Sequence, residues 1–317
     1  MQQVKKHLHE IPGEALLLLT AIIWGTGFVA QRKAMDGMQP FAFNGLRFLI
    51  GCLVLLPTLL QKIKKSSQEG QSSLEAYRRF ASSILPSFAC GLFLFLGTSL
   101  QQLGILTSTA AKAGFITSLY LVLVPLLGIF LGKKVNLWVW IGVALALVGV
   151  YFLSVDMDIR LQKGDLFLLI GAVFWAFQIL TLDYFSAKVD NLYLAFGQFA
   201  VSSLFAFIAY LLTEGGALIS DSSAVAPLLY SGIMSVGVAF TLQVFGQRRV
   251  DPTLASLIMG LEAVFALIGG MLFLDERLSA REWLGSAIML GAVLLVQLKG
   301  QQKKPLNGEN PSPNLSE

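Results

Sequence analysis

Charge is scarce in this sequence. Asp, Glu, Lys and Arg make up 13% of its 317 residues, against about 25% in soluble domains, which excludes a water-soluble globular protein. Histidine is almost missing: His7 and His9 are the two in the chain, and both precede the first long apolar run. A His-ligated metal centre within the apolar part is thereby excluded, and no cofactor is expected. The two cysteines, Cys52 and Cys90, fall inside apolar stretches and suit free buried thiols rather than a disulfide. No GxxxxGK[ST] run occurs, so nucleotide hydrolysis has no phosphate loop to use. One acid and one arginine on different apolar runs make no catalytic cluster, and the chain is not expected to be an enzyme.

What the sequence has in abundance is apolar length. Hydrophobic residues reach 55% and mean hydropathy +0.71. Runs of roughly 17–25 apolar residues, each long enough to span a bilayer, fall near 14–31, 39–60, 82–105, 110–131, 136–154, 165–184, 191–212, 225–246, 252–274 and 281–298. The expected fold is an all-α integral membrane protein with ten transmembrane helices. The first run follows Lys5 and Lys6 but has no small-x-small cleavage site after it, so it reads as a retained helix. The link 61–80 is the longest and most charged. The segment 299–317, rich in Pro, Asn and Lys, is expected to be a disordered tail.

The net charge of +4 sits in short basic clusters between apolar runs, the pattern of loops against anionic lipid and not of a nucleic-acid surface. With the N-terminus inside, fifteen Lys and Arg fall in cytoplasmic segments and seven on the other side, Arg47 lying within a span. The asymmetry places residues 1–13 and 299–317 in the cytoplasm of a multi-pass cell-membrane protein.

The two halves resemble each other. ALLLLTAIIWGTGFVAQ at Ala15–Gln31 aligns with LFLLIGAVFWAFQILTL at Leu166–Leu182, matching Trp24 to Trp175. The same offset pairs Asn44-Gly45-Leu46-Arg47 with Ala195-Phe196-Gly197-Gln198, and further on Gln101 and Gly104 match Gln243 and Gly246. Leu131-Gly132-Lys133-Lys134 then matches Leu274-Asp275-Glu276-Arg277. The shared order predicts a duplicated five-helix unit, 14–154 and 165–298. Because five is odd, the second copy enters the membrane from the other side, giving two inverted repeats of the kind common in secondary transporters.

Polar residues inside the runs fall at helical spacing. Thr20, Trp24, Gly27 and Gln31 form one stripe on the first helix; Gly171, Trp175, Gln178 and Leu182 form the matching one on the sixth. Ser87, Gly91, Leu94, Thr98 and Gln101 form a similar stripe on the third helix, and Gly232, Ser235, Ala239, Gln243 and Gly246 one on the eighth. Such stripes face protein or a water-filled path, and interhelical hydrogen bonding serves as well as transport to explain them. Trp24 and Trp175, near mid-span, either wall a cavity or pack the core. Glu262 lies near the bilayer midplane, about 15 Å into its span. It either lines a substrate or proton pathway or is a hydrogen-bonded acid that helps helices pack. Arg47, about eight residues into the second helix, either contacts an anion or snorkels to a structural partner. Tyr120 follows Lys112 on the fourth helix, where Pro125 marks a kink.

The blocks AIIWGTGFVAQ, AVFWAFQIL, GFITSLYLVLVPLLGIFLGKKVNLW and SLIMGLEAVFALIGGMLFLDERLS give the chain a resemblance to the EamA-type members of the drug/metabolite transporter superfamily. It covers about residues 13–298, with Ala263 and Asp275 standing where the family usually has Pro and Gly. The resemblance implies a secondary transporter moving a small metabolite, amino acid or drug across the cytoplasmic membrane, largely as an exporter. It equally implies, as an alternative, a carrier of phosphorylated or nucleotide-linked sugars; a non-transporting receptor or channel is the reading outside the family. Trp24, Gln31, Arg47, Gln101, Tyr120, Trp175, Gln178, Gln243 and Glu262 are the candidate substrate-binding residues. An aromatic wall with a few amides, and no mid-span cations beyond Arg47 and Lys112, suits an amino-acid or drug-like cargo over a multiply charged phosphate. Glu262 allows proton coupling, whereas facilitated exchange needs no titrating acid. The oligomeric state has no signature in the sequence.

Overall fold

The computed structural model describes residues 11–68, 73–107, 110–133, 135–154, 163–274 and 279–299. The N-terminal segment before Ile11, the tail expected to be disordered (apart from Lys299), Lys134 and Asp275-Glu276-Arg277 lie outside them. Every regular element among the described residues is helical. The helices are α1 (Gly13–Ala34), α2 (Pro40–Gln68), α3 (Ser73–Thr107), α4 (Ala110–Thr117), α5 (Tyr120–Phe130), α6 (Leu137–Ser154), α7 (Lys163–Ser186) and α8 (Asn191–Thr213). There follow α9, made of Val225–Tyr230, a π-helical Ser231–Phe240 and Thr241–Gln247, then α10 (Pro252–Gly260), α11 (Glu262–Leu274) and α12 (Ala280–Lys299).

Local chemistry sets several of these boundaries. Asp190 caps α8 by accepting the N–H groups of Leu192 and Tyr193, and Asp251 caps α10 by accepting that of Thr253. Pro40 and Pro252 open α2 and α10, positions where a missing N–H costs nothing. In α1, Glu14 sits in the first turn and Arg32 and Lys33 in the last, each sign opposing the helix dipole.

Two of the expected spans are interrupted. The fourth is divided at Ser118–Leu119, and the ninth at Leu261. At the first break the N–H groups of Leu119, Leu121 and Val122 bond three residues back, to Ile116, Ser118 and Leu119, tightening the turn. Ser118 Oγ also donates to the Gly114 carbonyl at 2.7 Å, a back-bond that bends helices. The interruption thus precedes Pro125, where the kink is expected; Pro125 itself lies inside α5. At the second break Leu261 N–H bonds to Ile258 O.

Seven helices are long and apolar enough to cross a membrane, and shorter apolar helices include Tyr120–Phe130, Leu137–Phe152 and Trp283–Lys299. The ten expected spans thus meet seven full-length ones. The difference lies in the divided fourth run and in the shorter apolar windows of α6 and α12. Helix α3 packs against α7 and α8, α2 against α8, α6 against α12, and α1 against α9 and α11. Large apolar side chains such as Leu85, Phe130, Leu211 and Leu298 point outward, while Thr20, Asn44, Gln102, Gln198 and Gln247 are buried. An apolar outside around a partly polar inside is the arrangement for lipid as solvent.

Candidate functional site

A cavity opens where both ends of the sequence contribute helices. It holds about 480 Å³ free of protein atoms, its open part included. Helices α1, α2, α3, α5, α7, α9 and α11 each supply at least one of Trp24, Arg47, Gln101, Tyr120, Trp175, Gln243 and Glu262 to its lining.

Its wall is aromatic. The Trp24 and Trp175 rings lie 6.3 Å apart, and Phe240 sits 4.6 Å from Trp24 and stacks on Trp175 at 6.0 Å and 9°. Both indole N–H groups are used. Trp175 Nε1 donates to Gln101 Oε1 at 2.9 Å, and Trp24 Nε1 to the Ser235 carbonyl at 3.4 Å. Ser235 lies in the π-helical stretch of α9, whose Ala239 carbonyl also accepts from Thr20 Oγ1 at 3.2 Å. The looser register of a π-helix turns carbonyls outward for such contacts. Gly97 leaves room for the Trp175 ring: a Cβ there would stand 3.3 Å from it.

Amides occur in pairs. Gln101 Nε2 donates to Gln31 Oε1 at 3.2 Å, with Gln102 Nε2 on the Gln31 carbonyl at 3.4 Å. In the second half Gln243 Nε2 donates to Gln178 Oε1 at 3.1 Å, with Gln247 Nε2 on the Ile179 carbonyl at 3.2 Å. Pairing offsets part of the cost of an amide away from water, while Gln102 Oε1, Gln178 Nε2 and Gln243 Oε1 are buried without a partner.

Three ionisable groups, Glu262, Tyr120 and Arg47, complete the lining. Glu262 is the first residue of α11 and Tyr120 the first of α5, so each stands at a helix break. Tyr120 donates its hydroxyl to Glu262 Oε1 at 3.3 Å, and Glu262 is 6% exposed. Gly25 on α1 allows the close approach of α11, since a Cβ there would meet the Glu262 carbonyl at 2.6 Å. Arg47 is 2% exposed, with Phe43 and Phe48 rings 5.0 and 5.2 Å from Cζ. It neither snorkels nor pairs with a carboxylate among the described residues.

The family model for the EamA-like transporter family matches the chain twice, over residues 11–155 and 162–298. The chain belongs to the EamA-like transporter family. It is similar to an uncharacterized transporter of Archaeoglobus fulgidus, 33% identical over 89% of this chain and 85% of that protein. It is also similar to the uncharacterized inner membrane transporter YedA of Escherichia coli, 24% identical over 91% of each. A crystal structure 18% identical to it superposes with a TM-score of 0.74, covering 94% of this chain and 99% of that one, and shows the shared fold. The resemblance to EamA-type drug/metabolite transporters is therefore shown, and the chain is a multi-pass membrane transporter.

Of the nine binding candidates in this EamA-like transporter, eight line the one cavity. Gln178 stands behind it as the partner of Gln243. The side chain of Lys112 lies outside the described residues. Phe240 escaped the sequence reading, because an apolar residue in an apolar run carries no signal of its own; its position three residues before Gln243, on the same helical face, was the available clue. Ser235 was legible as a small polar position, but not its carbonyl as an acceptor.

Proposed function

We propose that the chain is a secondary transporter that exports a small, partly apolar organic molecule, an amino-acid or drug-like compound, by alternating access. In this reading ten helices form two inverted five-helix repeats, 14–154 and 165–298, and the cavity between them is the binding site. The observation that carries it is the junction at Tyr120 and Glu262. Equivalent residues of the two halves, each opening the second piece of a broken helix, meet beside an aromatic and amide-lined cavity. Discontinuous helices around a mid-membrane site are the usual way transporters expose backbone dipoles to cargo. The double match of one family model supports the duplication.

Two ion pairs support closure at one end. Lys62, near the end of α2, pairs with Asp190 ahead of α8. Lys133, after α5, pairs with Asp183 of α7 at 2.5 Å. Both tie the first half to the second, and rocking one half against the other would part them. In this reading this end, and both termini, lie in the cytoplasm, which the basic asymmetry supports. Reporters fused after Lys299 are expected to fluoresce when they require the cytoplasm; high activity of a periplasm-dependent phosphatase there would reverse the orientation.

The test of transport is uptake of radiolabelled amino acids and cationic drugs into proteoliposomes, with and without a pH gradient. Saturable flux above empty liposomes is expected for at least one cargo. A protein that folds, reconstitutes and moves none of them would overturn the reading.

A further inference from the structure

Arg47 is the charge that the described structure leaves unanswered. It lies seven residues into α2, about 10 Å along the helix from Pro40, nearly sealed from solvent and on the cavity wall. Phe43 and Phe48 rings lie close to its guanidinium. Aromatic rings attract the cation but accept none of its in-plane N–H bonds. No acceptor reaches Nε, and no ion pair among the described residues involves Arg47. The acid of the same cavity, Glu262, is engaged by the Tyr120 hydroxyl. A guanidinium held this way has edge positions free and a counter-charge wanting.

We propose that Arg47 anchors a carboxylate of the transported molecule, gripping it edge-on through in-plane N–H groups. The proposal rests on the transporter reading above and goes further by naming the chemical group the cargo must carry. A planar carboxylate matches the guanidinium fork. A phosphate dianion would bring two charges to a wall with one described cation. A purely cationic cargo would leave the guanidinium unpaired and add like charge beside it. With the carboxylate fixed at Arg47, the Trp24 and Trp175 rings and the Gln31–Gln101 pair face the rest of the molecule, and Glu262 suits an ammonium where there is one.

Purified full-length protein in detergent is titrated with benzoate, leucine and phenylalanine, and with the methyl ester of each, while thermal unfolding is followed. At least one acid is expected to raise the unfolding midpoint by several degrees, and its ester to have little effect. Arg47→Lys keeps the charge without the fork and is expected to weaken the response about tenfold. Arg47→Met is expected to lose it, while unfolding no earlier than wild type when free of ligand. Equal stabilisation by acid and ester, none by any acid, or an undiminished response in Arg47→Met overturns the anchor.

If the Met variant does not fold, wild-type protein carries the test. Modification of Arg47 by phenylglyoxal, read by mass spectrometry, is expected to be blocked by the acids and not by the esters; equal blocking overturns the proposal. Flux separates the two readings. Acid binding that needs Arg47 but gives no transport keeps the anchor and removes the transporter. Transport of esters and acids alike through Arg47→Met removes the anchor and keeps the transporter.

Discussion

The two halves of this molecule use the same polar devices but not the same charges. Each half joins an amide of its third helix to one of its first, Gln101 with Gln31 and Gln243 with Gln178, and sets a second amide on a backbone carbonyl nearby. Each half also interrupts a helix at the matching place, before Tyr120 and before Glu262. The ionisable residues break the likeness. In the alignment of the halves Arg47 falls opposite Gln198, and the helix breaks carry Tyr120 in the first half and Glu262 in the second. An amide pair needs no counter-charge, even where Gln178 Nε2 and Gln243 Oε1 stay unpaired, so a frame can carry such pairs twice. A cation or an acid needs a counterpart, and here each occurs once, on the wall of the shared cavity.

The sharpest way to break the comparison is to make the acid like its counterpart in charge. Glu262→Gln keeps shape and hydrogen-bonding capacity but removes the group that can ionise. It is expected to lower transport by tenfold or more, as loss of a charged hydrogen bond of ~1.5–3 kcal/mol would, with the protein still folded. Tyr120→Phe removes only the donor and should cost less. Full activity of Glu262→Gln at every pH would rule out a proton-coupling role for this carboxylate.

A smaller effect separates the two amide pairs. Gln101 serves Gln31 and also accepts the Trp175 N–H, whereas the Gln243 side chain serves Gln178 alone. Gln101→Leu strands a buried indole N–H and is expected to destabilise by about 1–3 kcal/mol. Gln243→Leu leaves Gln178 Oε1 unpaired but also removes Gln243 Oε1, which already lacks a partner, so its net cost is expected to be smaller. Thermal unfolding of both variants in detergent checks the order, and equal losses would mean that the Trp175 contact adds nothing.

These contrasts show where the sequence was readable. Apolar length and helical spacing identified the runs, and a polar residue within such a run stands out because hydrocarbon penalises it. That is why Trp24, Gln31, Arg47, Gln101, Gln243 and Glu262 could be named before their geometry. Phe240 could not, since apolar residues in apolar runs are unmarked. The break at Ser118–Leu119 was displaced from Pro125 because it depends on hydrogen-bond register and the Ser118 back-bond, not on a missing N–H. The π-helical carbonyl that receives Trp24 is a backbone property with no residue to announce it. The runs 136–154 and 281–298 were legible as apolar, but neither the shorter apolar windows of α6 and α12 nor the packing of these two helices on each other was.

The smallest expected effect concerns the position opposite Arg47 in the comparison. Gln198 is fully buried, and neither atom of its amide has a hydrogen-bond partner in the protein. It stands on α8, away from the cavity lining, so no cargo contact compensates it. An orphaned buried amide costs about 1–3 kcal/mol, and replacing it with an apolar side chain of similar size removes that cost without leaving a new orphan. Gln198→Met is therefore expected to leave transport unchanged and stability equal or higher by about 1 kcal/mol, read as a small upward shift in unfolding temperature. Arg47→Met, at the matching position, should instead change what the protein binds. If Gln198→Met abolishes transport while the fold holds, the second half carries a polar contact of its own at this level, and the two positions are functional equivalents rather than a site and its silent counterpart.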